Sequence, residues 1–395
     1  MSRLWDKGLP LDERVLRYTA GEDHLLDERL VEHDIRGSVA HADMLCAQGL
    51  LSRADCDAIC DGLQQIGADH AAGKWHIRLE DEDAHTAIEN RLIALIGPTG
   101  GRLHLGRSRN DQVLTALRLY LLAAIDEVSG RTRMLCESLG RLAARQGGIA
   151  LPGYTHMQQA MPSSVALWGG GFAASFEDAI DGLGGARRRL SMNPLGSAAG
   201  FGTPGLDLDR EHTTRALGFA QTQNPVTAVQ LSRGKGEAGL LFELALLQQD
   251  LGRLASDLLM FYTQEFAYVA LATEVTTGSS IMPQKRNPDV LELVRAAGAT
   301  AHACLDECLM VAAKLPSGFQ RDLQRVKAPL FRSIDLAIDG VDIMALVIDG
   351  LAFRPENIRL DEGLYAAEQA YALVREEGIP FREAYRRIAQ RYGED

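Results

Sequence analysis

The sequence predicts an all-α protein of three helical regions with a central bundle of long helices. Three observations lead there. Proline is absent from residues 11–97, 226–282 and 330–354. Within those stretches apolar residues recur at helical spacing. No strand alternation and no βαβ spacing stands out along the chain. Residues 111–145 place Val113, Leu114, Leu117, Leu121, Ile125 and Val128 on one stripe. Residues 237–272 are apolar on several sides, as in a helix deep within a bundle. Pro162 suits the first turn of a third helix running to about Leu190. Asn287, Pro288 and Asp289 read as N-cap, first-turn proline and acid, opening a fourth helix toward Lys314. Helices of roughly 25 to 37 residues far exceed the usual mean of about 11 to 12, and such lengths suit a long bundle. The expected boundaries are residues 1–105 for an N-terminal helical domain, 106–348 for the bundle and 349–395 for a small C-terminal helical domain.

The 395 residues are 46% hydrophobic and 24% charged, an ordinary globular composition. No apolar run reaches the roughly 18 residues that span a bilayer. The opening residues lack the apolar centre of a signal peptide, so a cytoplasmic location is the default expectation. A net charge of −12 disfavours a nucleic-acid partner, and no membrane partner is expected. Any anionic small substrate would need a local cluster of Arg and Lys. Of the six cysteines, Cys56 and Cys60, and Cys304 and Cys308, are spaced four apart. Without partnering histidines this is a poor zinc pattern, and buried reduced thiols are expected instead.

Two GxGxxG matches, beginning at Gly200 and Gly234, lack the strand context that gives the motif meaning, and turns or close packing account for them. Residues 278–288, GSSIMPQKRNP, are different. They join two expected long helices and concentrate hydroxyls, two cations and a helix N-terminus in one short loop. That is an anion-binding arrangement with a stretch able to close over a ligand. A plain interhelical turn is an equal reading of the composition alone.

The specific string decides between them. It resembles the signature loop of the fumarase/aspartase superfamily, whose members release fumarate by elimination. Further motifs follow in order from about Asp27 to Lys327: Asp34-Ile-Arg-Gly-Ser38 with Ala40-His41, Gly106-Arg-Ser-Arg-Asn-Asp-Gln112, Pro152-Gly-Tyr-Thr-His156 and Gln284-Lys-Arg-Asn-Pro288. Together they are similar to the argininosuccinate lyase family. The resemblance implies a carbon–nitrogen lyase of arginine biosynthesis that cleaves argininosuccinate to arginine and fumarate by anti elimination through a carbanion. It also implies a homotetramer with active sites shared between subunits, and no cofactor or metal. Another succinyl-amine lyase, such as an adenylosuccinate lyase, and a crystallin-like structural protein are the alternatives. The Ser-Arg-Asn-Asp-Gln string and the retained loop residues speak against them.

By the same resemblance Ser279 is the base that removes a proton beside a carboxylate. Serine can do this only if cations and oriented donors stabilise its alkoxide, and Lys285 is the nearest cation in sequence. Lys285 would also stabilise the doubly charged carboxylate of the intermediate, and Asn287 would bind substrate. His156, with Glu292 as its carboxylate partner, matches the leaving-group side; read alone, His156 is a turn residue. Arg109, Asn110 and Thr155 match residues that hold the fumarate half, and Asn110 could equally be an N-cap. Gln324, Lys327 and Asp27 match residues near the arginine half. His85 sits in a further family motif, Asp83-Ala-His85-Thr86. The chain departs from the family pattern at Asp23, where Ser is usual, at Phe319, where Tyr is usual, and at Ser232, where Asp is common before Arg. Its C-terminal region is also shorter than the family leads one to expect. These changes fall mainly on the amino-acid side of the expected pocket. Some 35 helical residues between Asn110 and the His156 segment would span roughly 50 Å, too far for both to serve one site of one chain.

Overall fold

The computed structural model describes residues 12–392, and the opening residues 1–11 read above lie outside them. The described residues are predominantly helical, as the sequence predicts. They form two compact units that interleave along the chain. The first takes residues up to 127, 182–244 and 301–335; the second takes 128–181, 245–300 and residues from 336 onward. Each of the five longest helices, Arg109–Gln146, Val165–Leu190, Lys235–Tyr262, Asp289–Ala312 and Lys327–Asp349, contributes residues to both.

In the first unit, helices Val31–Ala47, Arg53–Ala71 and Ala84–Ile96 pack Leu45, Ile59, Leu63, Ile88 and Leu92 into one apolar core. Full burial of such a side chain contributes about 1.5–3 kcal/mol. Local chemistry sets the helix ends. The Ser52 hydroxyl accepts from the Asp55 N–H at 3.1 Å, and the Asp83 carboxylate accepts from Thr86 N–H at 3.0 Å. In the second unit Trp168 meets Phe172, Phe261 and Phe353 edge-on or tilted, and its indole N–H donates to Asp257 at 2.9 Å.

Several boundaries differ from the sequence reading, each for a local reason. Pro162 is not in a helix. It lies in strand Gln158–Ser164, paired antiparallel with strand Ala150–Thr155, and faces Pro152 across the ladder. Both strands are edges of a two-stranded sheet, so the missing N–H groups are tolerated. The helix begins at Val165 because the Ser164 hydroxyl accepts from the Leu167 N–H at 3.1 Å. Two more two-stranded pairs occur, Met192–Asn193 with Gln221–Thr222 and Val269–Ala270 with Ala352–Phe353. The latter pairing explains why the expected 237–272 helix stops at Tyr262. Ser108, not Asn110, caps the helix Arg109–Gln146: its hydroxyl accepts from the Asn110 N–H at 3.3 Å and its carbonyl from the Gln112 N–H at 3.1 Å. Asn287 does not cap the helix Asp289–Ala312 either, because its backbone pairs with Thr277 and its amide donates to the Gly278 carbonyl at 3.2 Å. All six cysteines are free. Cys56, Cys304 and Cys308 are buried, whereas Cys46, Cys60 and Cys136 are only partly so.

Candidate active site

The first unit holds a cavity of about 260 Å³ whose lining includes Asp27, Arg109, Asn110, Gln324 and Lys327. Five residues given a substrate-binding role from sequence therefore meet around one space, together with His85, Asp23 and Phe319. The start of the helix Ala84–Ile96 organises it. Asp83 caps that helix, and the fully buried Asp27 accepts from the Ala84 N–H at 3.3 Å, so two carboxylates sit at a helix N-terminus, where anions are favoured. Lys327 donates to Asp27 at 2.6 Å and contacts Asp23 at 3.0 Å. Burial would lower the Lys327 pKa, but the charges of Asp27 and Asp23 outweigh it and raise it. Burial, partly offset by Lys327 and reinforced by Asp27, pushes the Asp23 carboxyl up to about 7.

Arg109 is equally committed. Its Nη2 donates to Thr86 Oγ1 at 2.7 Å, and its guanidinium meets Asp83 at 3.3 Å and Glu82 at 3.5 Å. His85 is buried in ion-pair contact with Asp34. Burial alone would lower the His85 pKa, yet the surrounding Asp34, Asp83 and Asp27 raise it. Asp34 in turn accepts from Gln112 at 3.0 Å and Ser38 at 3.1 Å. Gln324 donates to the carbonyls of Thr19 and Ala20 at 3.0 and 3.1 Å, and accepts from Arg321 at 3.0 Å. It thereby closes the last turn of the helix Glu13–Ala20. Asn110, with its backbone held by Ser108, turns a side chain to the cavity.

Ser279, Lys285, Asn287, Glu292, Thr155 and His156 belong to the second unit. A two-bond bridge between Thr277 and Asn287, at 2.8 and 3.0 Å, closes the loop that carries Ser279 and Lys285. Inside the loop, Ser279 Oγ accepts from the N–H groups of Met282 at 3.2 Å and Ile281 at 3.4 Å. Two N–H dipoles thus converge on the hydroxyl oxygen, as a developing alkoxide requires. Glu292 is exposed in the first turn of the following helix. Thr155 ends its strand, and His156 and Met157 form the hairpin tip with φ of 53° and 62°. Both dihedrals are positive, as the tight hairpin turn requires. Among the described residues no hydrogen bond or ion pair joins His156 to Glu292, or the hairpin tip to the Ser279 loop.

Sequence reasoning assigned no site role to Glu82, Asp83, Arg233 or Arg321, all of which line the cavity. Asp83 lay within a quoted motif, and its capping position before Ala84 was a usable signal. Glu82 carries none; its backbone, at φ 65°, is set by the turn into that helix. Among the described residues no cluster of His, Cys, Asp or Glu has the arrangement of a metal site, and no helix is long and apolar enough to cross a membrane.

Comparison with known proteins identifies the family. A family model described as a lyase matches residues 13–302. The argininosuccinate lyase of Sorangium cellulosum (strain So ce56) is 44% identical over 98% of this chain and 90% of its own length. That of Thermotoga neapolitana is 40% identical over 100% of this chain and 99% of its own. Among solved structures, a variant of EDDS lyase with bound fumarate superposes with a TM-score of 0.81 at 26% identity, covering 96% of this chain and 76% of that one. A class II fumarase from Schistosoma mansoni shares the fold, with a TM-score of 0.79 at 17% identity over 98% of this chain and 91% of that one. With that identity sustained along its whole length, the chain belongs to the argininosuccinate lyase family.

Proposed function

We propose that this protein cleaves argininosuccinate to arginine and fumarate, with Ser279 as the base. The observation that carries the reading is the pair of N–H groups converging on Ser279 Oγ within a loop that also supplies Lys285. The Ser279 alkoxide takes a proton from the carbon beside a succinyl carboxylate. The electron pair moves into that carboxylate, giving a doubly charged intermediate that Lys285 stabilises. It then returns to form the carbon–carbon double bond as the carbon–nitrogen bond breaks, the bonding pair goes to the departing nitrogen, and a proton delivered from the His156 side completes arginine. Asn110, Thr155 and Asn287 hold the fumarate half, while His156 and Glu292 serve the leaving-group side. The acid-lined cavity with Asp27, Gln324 and Lys327 receives the arginine half.

In this reading the functional site is composite, assembled within a homotetramer. The helix that starts at Arg109 runs unbroken to Gln146, and its 38 residues measure about 57 Å. His156 is unpaired with Glu292 within the chain. Within the second unit Leu167, Leu293 and Leu346 stand exposed on the long helices, apolar side chains that further copies would cover. The deciding experiment incubates purified protein with argininosuccinate and with adenylosuccinate and follows fumarate. Fumarate from argininosuccinate is expected. Fumarate from adenylosuccinate alone would overturn the leaving group, and fumarate from neither would favour a structural role.

A further inference from the structure

The cavity of the first unit holds four cationic groups besides His85, and three are already engaged. Lys327 is held between Asp23 and Asp27, Arg109 by Glu82, Asp83 and Thr86, and Arg321 by Gln324 and the Thr19 carbonyl. Arg233 is different. It is only 8% exposed, its Nε and Nη1 are buried without a hydrogen-bond partner, and among the described residues its Nη2, which completes the fork with either of them, has no protein partner. Its guanidinium lies over the Phe319 ring, 5.3 Å from the centroid. A buried guanidinium with two unused donors is costly, and such a group in a native structure calls for an explanation. Its position is also dictated locally. Arg118 donates to the neighbouring Ser232 hydroxyl at 2.7 Å, and Gly234 has φ 77° with Ala312 where a Cβ would stand 2.5 Å away, so the backbone there has little freedom.

We infer that Arg233 binds the α-carboxylate of the amino-acid half of the substrate, and so selects an α-amino acid as the leaving group. This rests on the argininosuccinate reading above and adds a residue to it. Arginosuccinate's amino-acid half ends in a planar carboxylate, and a guanidinium fork matches that group in two parallel hydrogen bonds. Among the described cations lining the cavity, Arg233 alone has that fork to spare. The charges of Glu237 and Asp23 act on the guanidinium from the protein side and oppose the effect of burial, which lowers its pKa. A guanidinium stays cationic in a protein, so its unused donors remain those of a cation.

The test compares arginine with agmatine, which is arginine without its α-carboxylate, as inhibitors of fumarate release from argininosuccinate. Wild-type protein should bind arginine roughly 100-fold or more tighter than agmatine, as for a charged pair in a desolvated site. Arg233→Gln should raise KM for argininosuccinate by a similar factor, change kcat much less, and erase the preference for arginine. Arg233→Lys should restore part of it. Wild-type protein that binds agmatine as tightly as arginine would overturn the assignment without any variant. So would an Arg233→Gln or Arg233→Lys protein that keeps the full preference. If wild-type protein releases no fumarate from argininosuccinate, the functional reading itself fails, an outcome distinct from either of these.

Discussion

Around the cavity of the first unit almost every charge already has a partner in the same chain, whereas in the Ser279 loop of the second the polar side chains bond only to the loop's own backbone. Asp27 and Lys327 are buried and ion-paired. The side chains of Ser279 and Asn287 bond to nothing beyond residues 278–282. In the function proposed above, this difference separates recognition from chemistry. A pocket that must recognise a polar half-substrate is preformed, with its desolvation already offset by internal pairs. A loop that must meet charge developing during reaction keeps its donors aimed at one oxygen and leaves its cations exposed until the site closes.

The comparison can be broken at either end. The largest effect is expected in the loop: Ser279→Ala should lower kcat by about 10³-fold or more with the thermal midpoint unchanged, as for loss of a principal proton-transfer group. Fumarate absorbance together with a melting curve checks both halves of that statement. In the cavity the order reverses. Lys327→Met leaves Asp23 and Asp27 buried without their cation, and should cost about 3–5 kcal/mol of stability by urea unfolding. Asp23 gives a smaller effect with a definite sign. Its carboxyl titrates near 7 in the folded protein and near 3.8 when unfolded, so between those values the folded state holds the proton that the unfolded state has released. The Asp23 contribution to stability is therefore present at low pH and lost as pH rises across that window, by at most about 4 kcal/mol. Asp23→Ser should flatten the fall in melting temperature there; an unchanged slope would remove Asp23 from that role. Smallest is Ser164→Ala, which removes a helix cap and should cost about 1 kcal/mol without touching turnover.

Much of this was legible before the structure. Long helices announce themselves because a single stripe, such as that from Val113 to Val128, repeats through many turns. The hairpin that presents His156 was invisible because neither strand alternates and both carry proline. The loop was recognisable as a string, but its closure by Thr277 and Asn287 is a pairing across ten residues that no local pattern encodes. Likewise Arg233 drew notice only as the neighbour of an unusual Ser232. That its donors are unused depends on what surrounds it in three dimensions.

In the proposed reading, chemistry needs the Ser279 loop of one chain and the His156 hairpin of another. That requirement is tested by dissociating Ser279→Ala and His156→Asn proteins together, reassembling them, and measuring fumarate release from argininosuccinate. Each variant alone should be nearly inactive. Random mixing in a closed oligomer should leave roughly a quarter of the sites with both residues intact, so activity should return toward that fraction of wild type. Mixed oligomers seen by native mass spectrometry with no return of activity would contradict a site shared between chains.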